Sequence, residues 1–223
     1  MFFEYGKAET DYLSAKDKRL GAVIERIGHI ERAVDDDLFS SIVHHIIGQQ
    51  VSTKAQRCVW ERMQRAYGTV TARVIATADR DELQALGTTY RKVDYVQAAA
   101  GKIESGAFDL DAVAHMSDAE AIEALTSLDG VGTWTAEMLL LFGLQRPDIL
   151  SYGDLGIVRG MRMVYRHRTL SRERFERYRH RFSPHGSVAS LYFWAVAGGA
   201  IPEPSDPAKP QPRKPGGAKR NPR

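Results

Sequence analysis

The chain is nearly without cysteine: Cys58 stands alone among 223 residues. That excludes a disulfide framework, a cysteine-rich zinc module and an iron–sulfur cluster held by four thiolates. It also lacks any apolar run near the roughly 20 residues that span a bilayer, and its start, MFFEYGKAETDY, has no basic-then-apolar signal order. The expectation is an intracellular, non-secreted protein with no membrane partner. Proline is almost absent before residue 202; seven of the nine crowd into residues 202–223. Lysine is missing between Lys102 and Lys209. Apolar residues are not scarce: at 43% they suffice for a core and exclude a disordered chain.

The net charge of +3 hides a strong polarity. Residues 155–182 carry nine arginines against Glu173 and Glu176, a net +7. Residues 202–223 add +4 and residues 183–201 nothing, so residues 1–154 are net −8. Such a polarised chain can present a basic face to a polyanion, and the plain alternative is that the arginines decorate solvated helix faces. The stretch PEPSDPAKPQPRKPGGAKRNPR after Ile201 has no recurring apolar anchor and reads as a flexible basic tail.

Before that tail, helical periodicity dominates. Leu20, Val23, Ile24 and Ile27 fall on one face of 18–28, and Asp35–Asp37 stand where an N-cap belongs, before 38–47. An amphipathic helix fits 51–67 and stops at Gly68. Shorter or comparable helices fit 71–78, 81–86, 91–105, 118–126, 132–144, 155–166, 171–182 and 187–198, and no segment alternates long enough to make a strand. The expectation is an all-α protein of about ten helices, one domain over 1–201 followed by the tail 202–223.

The most informative string is LTSLDGVGTWTAEMLL at 125–140. A helix ends, Gly130 and Gly132 permit a tight turn and close approach, and a new helix starts at once, aiming free N–H groups outward. That is an anion site suited to phosphate, although an ordinary helical hairpin would look the same. Downstream, Asp154 precedes the helix 155–166 and reads on local grounds as its N-cap.

Taken together, L-D-G-V-G-T-W-T-A, the string Ser151-Tyr152-Gly153-Asp154, the segment Phe39 to Ser52 with Gly48-Gln49-Gln50-Val51-Ser52, and Gly87 to Ile103 closely resemble the helix-hairpin-helix (HhH-GPD) DNA glycosylase superfamily. The resemblance covers about residues 17–200 and is nearest to the 3-methyladenine DNA glycosylase II, alkylation-repair branch. It implies two helical lobes with a cleft between them. It also implies a monomer acting on damaged double-stranded DNA, in the cytoplasm (nucleoid) or nucleus.

The resemblance assigns roles to individual residues. Asp154 becomes the catalytic carboxylate, stabilising positive charge on the deoxyribose or orienting water. Trp134, Met138, Leu155 and Trp194 fall at the base pocket, where electron-rich rings suit an alkylated purine; for either tryptophan the plain alternative is core packing. Other members carry aromatics where Met138 and Leu155 stand here, so this pocket is expected to be less aromatic. Gln50 falls at the position that plugs the gap left by a flipped base, and is otherwise a helix-start residue. Gly130, Gly132, Thr133 and Thr135 fall at the phosphate-binding hairpin. The backbone carbonyls of Thr126, Leu128 and Val131 would hold a structural sodium, potassium or magnesium ion, with no cofactor needed for catalysis. Strand-nicking members carry a Schiff-base lysine two residues after Gly132. Here Trp134 occupies that position, so hydrolysis without a lyase step is expected.

The histidines, including His44 and His45, read as surface or core residues, the latter pair as neighbours pointing apart on a helix. Three alternatives stand beside the alkylbase reading. A glycosylase for a mismatched or deaminated base would need a proton donor, and 38–52 holds no acid. A non-catalytic hairpin module would not need Asp154. A general helical interaction protein leaves the hairpin turn unexplained.

Overall fold

The caps explain where the helices begin. Asp17, Asp37, Ser52, Thr71, Asp79, Thr89, Asp109, Ser117, Asp154 and Ser171 each accept a first-turn amide with a side-chain oxygen. The computed structural model describes residues 1–35, 37–202 and 205–208. Its helices are α1 Lys7–Lys16, α2 Lys18–Ile27, α3 Leu38–Gly48, α4 Thr53–Tyr67, α5 Ala72–Thr77, α6 Arg80–Ala85 and α7 Tyr90–Glu104. They continue as α8 Leu110–His115, α9 Asp118–Thr126, α10 Thr133–Phe142, α11 Leu155–Tyr165, α12 Arg172–Phe182 and α13 Gly186–Gly198. No strand occurs among the described residues, where a single antiparallel bridge joins Phe2 and Ala33. The all-α expectation holds, and the helix number is higher than periodicity suggested. Sequence periodicity missed α1, whose one buried residue is Leu13, and the short α8. The helix expected from residue 51 starts at Thr53, because Ser52 caps it. No helix is long and apolar enough to cross a membrane among the described residues.

The helices pack in two groups. In one, α3 contacts α4, α7 and α10, while α9 packs on α10 and α5 and α6 pack on α7. In the other, the chain ends meet: α1 and α2 pack with α11, α12 and α13. The most extensive contact joins α11 to α13. Gly160 makes it possible, since a Cβ there would stand 2.1 Å from the Phe193 carbonyl oxygen. One turn earlier, Gly156 faces the Trp194 ring. The close crossing therefore brings Trp194 beside the start of α11, where Asp154 sits.

The arginine-rich stretch is partly internal structure. Arg181 pairs with buried Asp17 at 2.7 Å, Arg177 with Glu173, and Arg172 and Arg179 with Glu176. Arg162 pairs with Asp206 at 2.7 Å. So the first part of the expected flexible tail docks back on α11 at Asp206; residues 209–223 lie outside the described residues.

Candidate active site

The turn before α11 is held from behind. The Ser151 hydroxyl hydrogen-bonds Glu137 of α10, and the Asp154 amide donates to the Ser151 carbonyl at 3.4 Å. Burial raises the Glu137 pKa, with opposition from the Ser151 hydrogen bond and from Arg179 and Arg172. Asp154 then caps α11 by accepting the Ile157 amide on Oδ1 at 2.8 Å. The cap and the candidate catalytic role are both open to it, because the carboxylate has more partners. Trp194 donates its indole N–H to Oδ1 at 2.9 Å, and Trp134 donates its own to Oδ2 at 2.9 Å. Asp154 is 7% exposed, yet it lines a cavity of about 680 Å3.

The same cavity is lined by Trp134, Met138 and Trp194. Three of the four expected pocket residues are thus brought together with Asp154. Leu155 is not: it is 85% exposed and does not line the cavity. As the first residue of α11 it projects away while Asp154 turns inward, so its assignment to the pocket is corrected. Trp134, 40% exposed, is not the plain core residue that its sequence context also allowed.

Trp194 ends a row of rings whose other members sequence reasoning missed; Phe142, His45 and His44 line one wall of the cavity with it, and Trp60 does not. Phe142 stacks on Trp194 at 5.7 Å between centroids, His45 stacks on Phe142 at 5.8 Å, and His44 stacks on Trp60 at 4.9 Å. His44 and His45 were expected to point apart, as consecutive helical residues do. Instead both face Asp35: His44 Nδ1 lies 2.7 Å from one carboxylate oxygen and His45 Nδ1 3.7 Å from the other. The Ser41 hydroxyl donates to Asp35 at 2.6 Å. Burial opposes ionisation of Asp35, but the His44 and Ser41 hydrogen bonds outweigh it and its pKa ends lowered. Burial lowers the His45 pKa, with Asp35 opposing. A signal for this cluster existed: Asp37 alone caps α3, so Asp35 was left over for another task.

Arg32 completes the wall. Its guanidinium lies 5.0 Å from the Phe142 ring centre and 5.7 Å from that of Trp194. The residue keeps solvent access, but its head group is desolvated, which lowers its pKa against the opposing pull of Asp35 and Asp154.

The hairpin lies on the neighbouring surface. Gly130 has φ +82° with the Tyr95 ring against it, so a side chain there would be both strained and obstructed. Gly132 is extended at φ −92° and needs no glycine for its angles; its surroundings are open, which leaves room for another chain. It caps α10 without a side chain, and no hydrogen bond among the described residues takes up the first-turn amides of Thr133 and Trp134. Thr133 is exposed, whereas Thr135 is 4% exposed, so its side chain is not offered to a phosphate as expected. Gln50 is exposed, in a left-handed conformation at φ 57°. Its loop is tied to the hairpin: Gln49 Nε2 donates to the Gly130 carbonyl at 2.8 Å, and Lys92 Nζ donates to the carbonyls of Ile47 and Gln49. Gln50 and Gly130 line a second cavity, separate from that of Asp154. Of the carbonyls expected to hold an ion, Leu128 accepts the Val131 amide, while those of Thr126 and Val131 accept no hydrogen bond among the described residues. These uncharged oxygens are donors of the kind hard cations take.

A pocketed carboxylate, an aromatic wall and a glycine hairpin with open amides thus share one side of the helical framework, and known proteins repeat the plan. The chain is 27% identical over 199 residues to DNA-3-methyladenine glycosylase 1 of Schizosaccharomyces pombe, covering 86% of this chain and 87% of that protein. It is 25% identical over 173 residues to DNA-3-methyladenine glycosylase 2 of Escherichia coli, covering 73% of this chain. It spans 58% of that E. coli protein and 64% of a Bacillus subtilis relative. A crystal structure of the DNA-3-methyladenine glycosidase of Bacillus halodurans matches with a TM-score of 0.76 at 30% identity, covering 89% of this chain and 93% of that one. The profile of the HhH-GPD superfamily base excision DNA repair proteins matches residues 43–184. The chain belongs to the HhH-GPD superfamily of base excision DNA repair proteins.

Proposed function

We propose that the protein is a monofunctional DNA N-glycosylase that removes alkylated purines, of the 3-methyladenine and 7-methylguanine type, from duplex DNA. The observation that carries this reading is Asp154, fixed by two indole N–H groups at the edge of an aromatic cavity. A purine flipped from the stack enters that cavity. The bond between C1′ and the base breaks with its electron pair leaving on the base, and the deoxyribose becomes cationic. Asp154 stabilises that cation and orients the water that adds to C1′, which then loses its proton. Because its carboxylate is already held in place, little reorganisation opposes the step. Ring alkylation makes the base a good leaving group, so no strong acid is required. The names of the S. pombe, E. coli and B. halodurans relatives support an alkylated base as the substrate.

The hairpin amides and Thr133 hold a DNA phosphate, and Gln50 fills the gap in the duplex. The carbonyls of Thr126, Leu128 and Val131 fit a sodium, potassium or magnesium ion, which would supply positive charge for the phosphate. Trp134 at the position of the lyase lysine, and a cavity whose described lining holds no lysine, support hydrolysis without strand cleavage. The protein acts as a monomer in the cell interior. The test is single-turnover base release from a duplex carrying 7-methylguanine, scored with and without alkali. Asp154→Asn should slow release by about a hundredfold or more. Unchanged release would remove Asp154 from its role, and strand breaks without alkali would overturn the monofunctional reading.

A further inference from the structure

The loop that carries Gln50 is held by a cation from another helix. The helix α3 ends at Gly48, and its last carbonyls have no partner within the helix. Lys92 Nζ, from α7, donates to the carbonyl of Ile47 at 2.9 Å and to that of Gln49 at 2.6 Å. A cation there also meets the negative end of the α3 dipole. Lys92 is partly buried; burial lowers its pKa, and no carboxylate among the described residues opposes that shift. Two of its three donors are thus spent on the backbone of one loop, with no counter-charge. What they hold is strained. Gln50 has φ 57°, a left-handed conformation that a residue with a side chain keeps only where its surroundings enforce it. Gln50 is exposed, so packing of its own side chain does not enforce the turn. The enforcement comes from Gln49, whose carbonyl belongs to the peptide that joins it to Gln50. Lys92 fixes that carbonyl, and the Gln49 side chain donates to the Gly130 carbonyl of the hairpin at 2.8 Å. The same helix supports the hairpin. Tyr95, three residues after Lys92, lays its ring against Gly130, and its hydroxyl accepts from Arg91 Nε at 2.6 Å. Lys92, Gln50, Tyr95 and Gly130 all line the second cavity. One face of α7 therefore sets the spacing between the hairpin and Gln50.

We infer that Lys92 is a positioning residue that holds the Gln50 loop in its strained form before DNA arrives, and that it acts on extrusion of the damaged base rather than on cleavage of its bond. The inference rests on the glycosylase reading above and on Gln50 as the residue that fills the gap. A loop already ordered has no ordering cost left to meet when the base leaves the stack. The test compares single-turnover release of 7-methylguanine at saturating protein from two duplexes. In one the lesion faces cytosine; in the other it faces a stable abasic site, so that it is unpaired and easily extruded. Lys92→Met keeps the stem and removes the donors. It should slow release from the paired duplex by about tenfold and leave release from the unpaired one nearly unchanged. Gln50→Ala should show the same selectivity, and the double variant should be no slower than the slower single one, because both act on one step. Lys92→Gln is the milder second variant, and its ratio of the two rates decides the matter if Lys92→Met does not fold. Equal slowing on both duplexes, as lost folding or a lost phosphate contact would give, overturns the inference. So does release unchanged on both, or a double variant slowed by the product of the single effects. If the wild type releases no base from either duplex, the glycosylase reading falls and this inference with it. If the wild type releases base and the ratio stays fixed in the Lys92 variants, only the role of Lys92 is lost.

Discussion

Trp194 shows how one side chain serves two tasks. Its ring stacks on Phe142 and its N–H holds Asp154 Oδ1. Trp194→Phe should preserve the stack and lose the donor. With a hydrogen bond to a charged group worth about 1.5–3 kcal/mol, release should slow by roughly tenfold or more at little cost in thermal stability. Equal loss of stability and activity would mean that the ring, not the N–H, carries the effect. His45 makes a prediction about pH. Burial lowers its pKa below the ordinary 6.5, so the folded protein prefers the neutral ring. Its stabilising contribution is therefore complete above pH 6.5 and is lost as pH falls through the lowered value. Melting temperatures followed downward from pH 6.5 should fall less steeply in His45→Gln than in the wild type. Parallel curves would show that His45 does not govern this window. Asp35, with its lowered pKa, adds a loss only at more acidic pH.

Among the elements, the crossing of α11 and α13 decides whether the site exists. Gly160→Ala places a methyl group against the Phe193 backbone. Overpacking of this kind costs about 1–3 kcal/mol, and here it should also shift Trp194 away from Asp154. Base release should then fall further than the loss of folded protein explains; an active site unaffected by the substitution would uncouple the crossing from the chemistry. Residues 155–166 were legible as a helix, and Asp154 as its cap. That two glycines on one face of that helix admit α13 was not legible, because a glycine inside a periodic segment carries no sign of its neighbour. The hairpin was legible for the opposite reason: its glycines, its turn and the following helix start are all local in sequence.

At the scale of the molecule, the charge distribution does not convert directly into a binding surface. The +7 of residues 155–182 suggests a long basic face, but Arg162, Arg172, Arg177, Arg179 and Arg181 have carboxylate partners within the protein. Arg166 and Arg168 have none among the described residues. Changing both to alanine should reduce the slope of log affinity for DNA against log salt by about 2 if both meet phosphates. Arg181→Ala should leave that slope alone and lower stability by about 1 kcal/mol, because it strips a partner from buried Asp17 while the other, solvent-facing side of the pair was already screened. A large change of salt slope in Arg181→Ala would contradict the internal role.

Periodicity, caps and turn chemistry act over a few residues, and so the sequence by itself determined the all-α class, most helix boundaries, the hairpin turn at 128–132 and Asp154 as the cap of the helix that follows it; the proposed catalytic role of Asp154 came from the family resemblance. The ring row from Trp60 to Trp194, the gathering of His44 and His45 on Asp35, the placement of Arg32 and the exclusion of Leu155 were decided only by tertiary structure. These contacts join residues far apart in the chain, and they depend on which helix faces the packing turns inward. A side chain's neighbours across a cavity leave no periodic trace in the residues on either side of it.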